Sequence, residues 1–329
     1  MDCSRSPLDR GVLQQLLQQA RLGEDEVRVR LQNALAPTYW KTLNPSLSIE
    51  GGGERAVMQE TPLDDQRQRE LLEGLTDEGY FQTGAIVPPP TIARMREGVE
   101  RLKKQHWPPV FAFVYDEFWQ VARAPSLVRL LSEALGAGYR QVPRVWLHYV
   151  TPPAGASLWP PHFDGYRRGN RVTIWVPLTE ATLDNGCIHV IPKNLTPGGI
   201  ADAFARLERI SVADVQALLQ ASRALPTPAG TALGWDFEVI HWGSHGSRSE
   251  APRIACSQTF IAGQEAPAPD EVPLLDGHRR LPTFSQRLRT IAEAIRAYER
   301  FEVTMIRYLE LAERLLARVG PGEGGGDHV

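Results

Sequence analysis

Residues 171–192 read RVTIWVPLTEATLDNGCIHVIP. Over the first residues the pattern alternates: Val172, Ile174 and Val176 share one face of an extended chain, and Thr173 and Trp175 share the other. Asp184, Asn185 and Gly186 form a turn signal, since Asn and Gly tolerate the backbone a tight reversal needs. Residues 187–191 then read as the returning strand, which Pro192 stops. The same alternation appears upstream at 144–150, and further strands fit at 237–242 and 253–261. Strands divided by turn-rich segments predict an antiparallel β-barrel or double-sheet sandwich.

Helical spacing flanks this block. Leu13, Leu16, Leu17 and Ala20 place a helix within 8–35, and a second fits 60–75 after the flexible break Gly51, Gly52, Gly53. A third is expected at 91–104 with Thr91 as N-cap, and a fourth at 125–136, with Pro125 near its start and Gly136 just past its end. Phe284, Leu288, Ile291, Ile295 and Tyr298 recur at spacings of four and three, and Met305, Leu309, Ala312, Leu316 and Val319 resume the pattern. This predicts a long amphipathic helix or helix pair over 284–319, covering the outer face of the barrel or forming a homodimer contact. The Gly-rich tail 320–329 reads as disordered.

Composition narrows the function. The chain has 329 residues, 42% hydrophobic and 23% charged, enough for a packed core. A formal net charge of −3 and the absence of a basic run argue against nucleic acid as a partner. No apolar run approaches the roughly 18 residues a membrane helix needs. Three cysteines (Cys3, Cys187, Cys256) without a CxxC pair do not make a disulfide framework, so a cytoplasmic setting is expected.

The chemistry centres on His162-Phe163-Asp164. In extended backbone, positions i and i+2 point to one side, so an imidazole and a carboxylate can grip one metal ion together. Two histidines and one carboxylate on one face of a metal leave positions open, which suits a non-haem Fe(II) site. His241, on an expected strand with Phe237 and Val239, is the preferred third ligand; His245, in a turn-like loop, is the alternative. Arg253 opens the next strand, where Arg253, Ala255, Ser257 and Thr259 share a small polar face. A guanidinium directed into a barrel needs a partner, and its fork matches a carboxylate bidentately.

These pieces together resemble the phytanoyl-CoA dioxygenase family. An HxD, a WVPLT strand at 175–179, an NGCIHVIP segment at 185–192, a distal His and an Arg occur in the family's order, and EGYF at 78–81 is similar to its usual opening. The resemblance covers about residues 75–262. It implies a mainly β fold: a double-stranded β-helix (jelly-roll, cupin-like) core with N-terminal helices and a long C-terminal helix. The division it suggests is an N-terminal helical extension (1–60), the oxygenase domain (61–265), a helical segment (266–319) and the tail (320–329). It also implies Fe(II) on His162, Asp164 and His241, with 2-oxoglutarate and O2 as co-substrates, and Arg253 on the far carboxylate of 2-oxoglutarate. His148 is placed for a polar contact to 2-oxoglutarate or as an ordinary buried histidine, and Trp175 for the cavity wall or the core. Relatives that halogenate carry a small residue in place of the carboxylate, so Asp164 aligns this chain with hydroxylating members. Lys193, Asn194 and Leu195 replace the family's usual Gly-Ser-His.

The expected substrate is a small molecule or biosynthetic intermediate, since the chain has four lysines and no evident cradle for coenzyme A phosphates. Tyr39, Trp40 and the helix at 284–319 are candidates to shape the entrance, and Tyr166, Arg167 and Arg168 to touch substrate or face solvent. His189 reads as structural. The competing readings are a non-catalytic metal-binding jelly-roll and a zinc hydrolase using the same ligands.

Overall fold

The computed structural model describes residues 21–50, 58–151, 160–196, 198–206, 210–243, 251–278, 280–299 and 302–320. Residues 8–20 of the expected first helix, the glycine break, His245 and the tail beyond residue 320 lie outside them. The first half carries α1 (Glu24–Ala34), α2 (Pro37–Leu43), α3 (Asp65–Asp77), β1 (Tyr80–Ala85), α4 (Pro89–Lys104), α5 (Glu117–Gln120), α6 (Pro125–Leu135) and β2 (Arg140–Val150). Then come β3 (Arg171–Pro177), β4 (Ile188–Ile191), α7 (Gly198–Ala205), α8 (Val212–Ala221), β5 (Arg223–Leu225), β6 (Thr231–Asp236), β7 (Ile240–Gly243), β8 (Arg253–Ile261) and β9 (Leu275–Asp276). Two helices close the chain, α9 (Phe284–Tyr298) and α10 (Leu309–Val319).

The strands form two antiparallel sheets, one in the order β1-β6-β3-β8-β2-β9 and a smaller one in the order β5-β4-β7. More residues lie in helices than in strands, so the mainly β expectation is corrected to a mixed α/β architecture. The alternation of β3 has a direct physical cause. Val172, Ile174 and Val176 pack into the core shared with the helices, whereas Trp175 packs into a second cluster toward the small sheet. Strand β8 divides likewise: Ile254, Cys256 and Phe260 face the helical core, and Ala255 the second cluster.

The turn at 184–186 forms, with Gly186 at φ 93° and the Asn185 side chain accepting from the Thr182 amide at 2.7 Å. It does not close a hairpin. Strand β4 pairs with β5 and β7, so the turn carries the chain from the large sheet to the small one. The expected strand at 237–242 also divides. The Asp236 carboxylate accepts from the Glu238 amide at 2.9 Å and ends β6, residues 237–239 turn, and His241 lies on the short β7. The helix expected at 91–104 begins earlier, because Pro89 and Pro90 occupy first-turn positions where a missing N–H costs nothing; Pro88, not Thr91, is its N-cap.

The stripe at 284–319 is two helices joined by a 3-10 segment at Val303–Tyr308, not one long helix. They pack on each other, α9 also lies on β2, and Leu288, Ile291, Ile295, Leu311 and Leu315 are buried within the chain. The Arg287 guanidinium meets the Asp116 carboxylate at 2.6 Å with both side chains fully buried, fixing α9 to the body. Trp40 corrects another expectation. It is fully buried in the core, 4.8 Å from Trp107 and stacked on Phe111 at 5.4 Å. Among the described residues no helix is long and apolar enough to cross a membrane.

Candidate metal centre

His162 and His241 are paired through their backbones: each amide donates to the other's carbonyl, at 3.1 and 3.0 Å. This bridge lays the HxD segment alongside β7 and brings the two imidazoles to 4.4 Å between ring centroids. Asp164, two residues on, directs Oδ1 at both rings, 3.7 Å from Nε2 of His162 and 3.5 Å from Nε2 of His241. The ligand atoms of the three residues all lie within 4.8 Å of one another.

Each side chain is held from behind. Nδ1 of His162 is 2.8 Å from the Pro160 carbonyl, and Nδ1 of His241 is 3.2 Å from the Val239 carbonyl. A carbonyl only accepts, so both rings carry their proton on Nδ1 and turn the Nε2 lone pair toward the shared centre. The second oxygen of Asp164 accepts from Thr173 Oγ1 at 2.7 Å and from the Trp235 indole N–H at 3.0 Å. The Trp235 ring also lies 4.5 Å from that of His241.

Burial opposes a positive charge on the His162 and His148 imidazoles. It pulls His162 down to about 4, reinforced by the neighbouring His241, and pulls His148 down to about 3, reinforced by Arg253. Burial alone would raise the Asp164 carboxyl, but the two histidines and the Thr173 hydroxyl more than reverse this and hold it well below the usual carboxylate range. A neutral imidazole at His162 and an ionised carboxylate at Asp164 are the protonation states a divalent metal requires of them.

A consequence for stability follows. Unfolding returns His162 and His148 to 6.5, so from there down to about 4 the unfolded chain binds more protons than the folded one. Stability therefore falls on acidification, by about 2 kcal/mol for each histidine between roughly pH 7 and 5. Denaturant titrations of the metal-free protein at the two pH values check this. An unchanged midpoint would show that the folded imidazoles protonate as readily as the unfolded ones.

The triad opens onto a cavity of about 70 Å³ between the two sheets. Every site residue expected from the sequence lines it: His162, Asp164, His241, Arg253, Trp175 and His148. His148 sits 3.5 Å from the Ser257 hydroxyl. Arg253 is buried; one of its terminal nitrogens donates to the Gly186 carbonyl, and its fork passes so close to Gly243 that a Cβ there would lie 3.0 Å from both Nη atoms. It makes no ion pair among the described residues, and its Nε has no hydrogen-bond partner. The buried Trp175 indole nitrogen also lacks one.

Among the lining residues given no site role from the sequence are Trp235, Arg144 and Tyr298. Trp235 belongs to β6, a strand hidden before the turn at 237–239. Arg144 begins the alternating run on β2 but carried no assigned role. Tyr298 ends α9 and reaches the cavity, so the C-terminal segment does shape it. Elsewhere, Arg167 pairs with Asp202 at 2.9 Å, Tyr166 stacks on Phe163 at 4.6 Å, and His189 stacks on Trp242 outside the cavity.

Residues 110–255, which span β2, β3, β4, the three convergent ligands and Arg253, match the phytanoyl-CoA dioxygenase (PhyH) family. Over that stretch the chain resembles the PhyH family. This is a family of Fe/2-oxoglutarate-dependent oxygenases, and the HxD and distal histidine of the PhyH pattern are the residues that converge here. Among solved structures, the epimerase SnoN in complex with Fe3+, alpha ketoglutarate and nogalamycin RO is similar, with a TM-score of 0.52, at 17% identity over 67% of this chain and 96% of that one. The non-heme monooxygenase ThoJ, as its nickel complex, has a TM-score of 0.50 at 15% identity over 75% of this chain and 100% of that one. At such identities the likeness is one of fold. No curated protein matches the chain.

Proposed function

We propose that the protein is an Fe(II)- and 2-oxoglutarate-dependent oxygenase that hydroxylates an unactivated C–H bond of a small molecule or biosynthetic intermediate. The two facing sheets are its double-stranded β-helix, His162, Asp164 and His241 its iron ligands, and Arg253 its anchor for the far carboxylate of 2-oxoglutarate. One observation carries this reading: three convergent ligands and a buried guanidinium with no carboxylate partner among the described residues open onto the same cavity. A zinc hydrolase needs the three ligands but leaves Arg253 without a task.

When bound, iron with 2-oxoglutarate and O2 supplies the oxidation, which ends in succinate, CO2 and an oxidised substrate. The chain's own contribution is positioning and exclusion of water. The bridged backbones of His162 and His241 fix two ligands, and Thr173 and Trp235 fix the third. The donors on Arg253 and Trp175 satisfy a dicarboxylate that enters between the sheets, and His148, neutral at ordinary pH, adds a polar contact without adding charge. Relatives that halogenate carry a small residue at this position, so the Asp164 carboxylate supports hydroxylation over halogenation.

Reconstitution under argon with Fe(II), followed by O2 and 2-oxoglutarate, tests the proposal. One iron per chain is expected, with succinate released in step with a product 16 Da heavier than its substrate. Tight retention of zinc, with no succinate formed even with a metabolite extract present, would overturn it.

A further inference from the structure

Part of the iron cavity's wall is shared with a second depression. Arg144 and Tyr298 line the cavity, and both also line a larger groove of about 720 Å³ at the surface. Pro143, Val272, Arg289, Ala294, Ala297 and Leu309 form other parts of that groove, between the C-terminal helices and the loop that follows β8. The two residues therefore stand between cavity and groove.

Arg144 is placed there by an irregularity. The register between β2 and β8 slips between Gln141 and Val145, so β2 carries extra residues opposite fewer on β8. Bulges of this kind re-aim side chains next to functional sites. Tyr298 is braced by Trp146, ring centroids 4.1 Å apart, and lies beyond the stretch 110–255 that matches the family. This part of the wall is thus built by the chain's own C-terminal segment.

Two arginines line the cavity among the described residues, Arg144 and Arg253. Arg253 is committed to the co-substrate under the proposed function, on which the present inference rests. Arg144 pairs with Asp270 at 2.8 Å, but the Asp270 side chain is 60% exposed. An exposed pair of this kind contributes about 0–1 kcal/mol, whereas a charge-assisted hydrogen bond in a drier site contributes about 1.5–3 kcal/mol. An anion arriving from the cavity side therefore competes well for the guanidinium.

We infer that Arg144 is a specificity-determining residue that anchors an anionic group, carboxylate or phosphate, of an elongated primary substrate. The substrate's reacting end lies in the iron cavity, and the rest passes Tyr298 into the outer groove. Binding exchanges Asp270 for the substrate anion.

The test uses the anaerobic Fe(II) protein saturated with 2-oxoglutarate and titrated calorimetrically with hexanoate, hexyl phosphate and hexan-1-ol. At least one anion is expected to bind, about tenfold or more tighter than the alcohol. Arg144→Met should weaken that anion by about tenfold or more, Arg144→Lys should recover most of the loss, and Asp270→Asn should tighten binding by removing the competitor. A preference for hexanoate assigns a carboxylate, and the reverse assigns a phosphate. Failure of both anions to bind the wild-type protein, or equal binding to Arg144→Met, overturns the inference. Failure of 2-oxoglutarate itself to bind the iron-loaded wild type overturns the proposed function instead, and the same titration series reads it separately.

Discussion

Asp164→Ala abolishes substrate-coupled succinate formation and leaves the protein folded. Asp164 is the one anionic member of the triad, and its Oδ1 faces both imidazoles at 3.5 and 3.7 Å. Without it a divalent ion meets two neutral nitrogens only, and its hold on the site weakens. Metal assistance is worth several kcal/mol of barrier, so turnover should drop by about a thousandfold or more. The structural cost is smaller. Thr173 and Trp235 lose their shared acceptor, at about 1–3 kcal/mol, while a carboxylate that burial disfavours is removed. That sum lies within the roughly 5–15 kcal/mol a domain has in hand. Succinate release and a denaturant titration on the same preparation check both halves. Undiminished turnover would show that Asp164 is not a ligand.

The site was legible in the sequence where side-chain direction follows from backbone period alone. His162 and Asp164 needed only a separation of two in an extended segment. Thr173 and Trp175, and likewise Arg253, Ser257 and Thr259, needed only alternation on a buried strand, and all of them line the cavity. The joining of the two histidines was not legible. It depends on a backbone bridge between residues far apart in the chain, and no local pattern encodes that pairing.

The fold was less legible than the site, for identifiable reasons. The turn at Asn185 and Gly186 was visible, but its destination was not, because the same turn residues serve a hairpin and a crossing between sheets. Helices α7 and α8 escaped because α8 leaves Val212, Val215 and Leu219 exposed, so its pattern does not mark an inward face. The stripe from Phe284 to Val319 keeps nearly one phase across a 3-10 segment, which left one long helix and a helix pair both open. Tyr298 was read from its spacing as one more position of the amphipathic stripe, yet its ring, packed on Trp146, borders the cavity.

Arg253→Met raises the Kd for 2-oxoglutarate by about 100-fold or more while iron loading stays as in the wild type. The magnitude follows from the loss of two parallel charge-assisted hydrogen bonds, each worth about 1.5–3 kcal/mol. Arg253→Lys should recover only part of the affinity, because an ammonium cannot span both oxygens of a carboxylate as the planar fork does. The metal-free, ligand-free protein is a separate matter. Burial pulls the Arg253 guanidinium down to about 10, its Nε lacks a partner, and no carboxylate among the described residues neutralises it. Replacing an uncompensated buried charge by an apolar chain of similar length removes that cost, against the loss of one donor to the Gly186 carbonyl. Thermal stability without ligand should therefore stay level or rise. Saturating 2-oxoglutarate should raise the Tm of the iron-loaded wild type, by the equivalent of about 2.7 kcal/mol at a hundred times Kd, and should leave the variant almost unmoved. If variant and wild type respond alike, the co-substrate is held elsewhere. The buried guanidinium would then be a structural tie between β8 and the turn at Gly186, with no part in holding the keto acid.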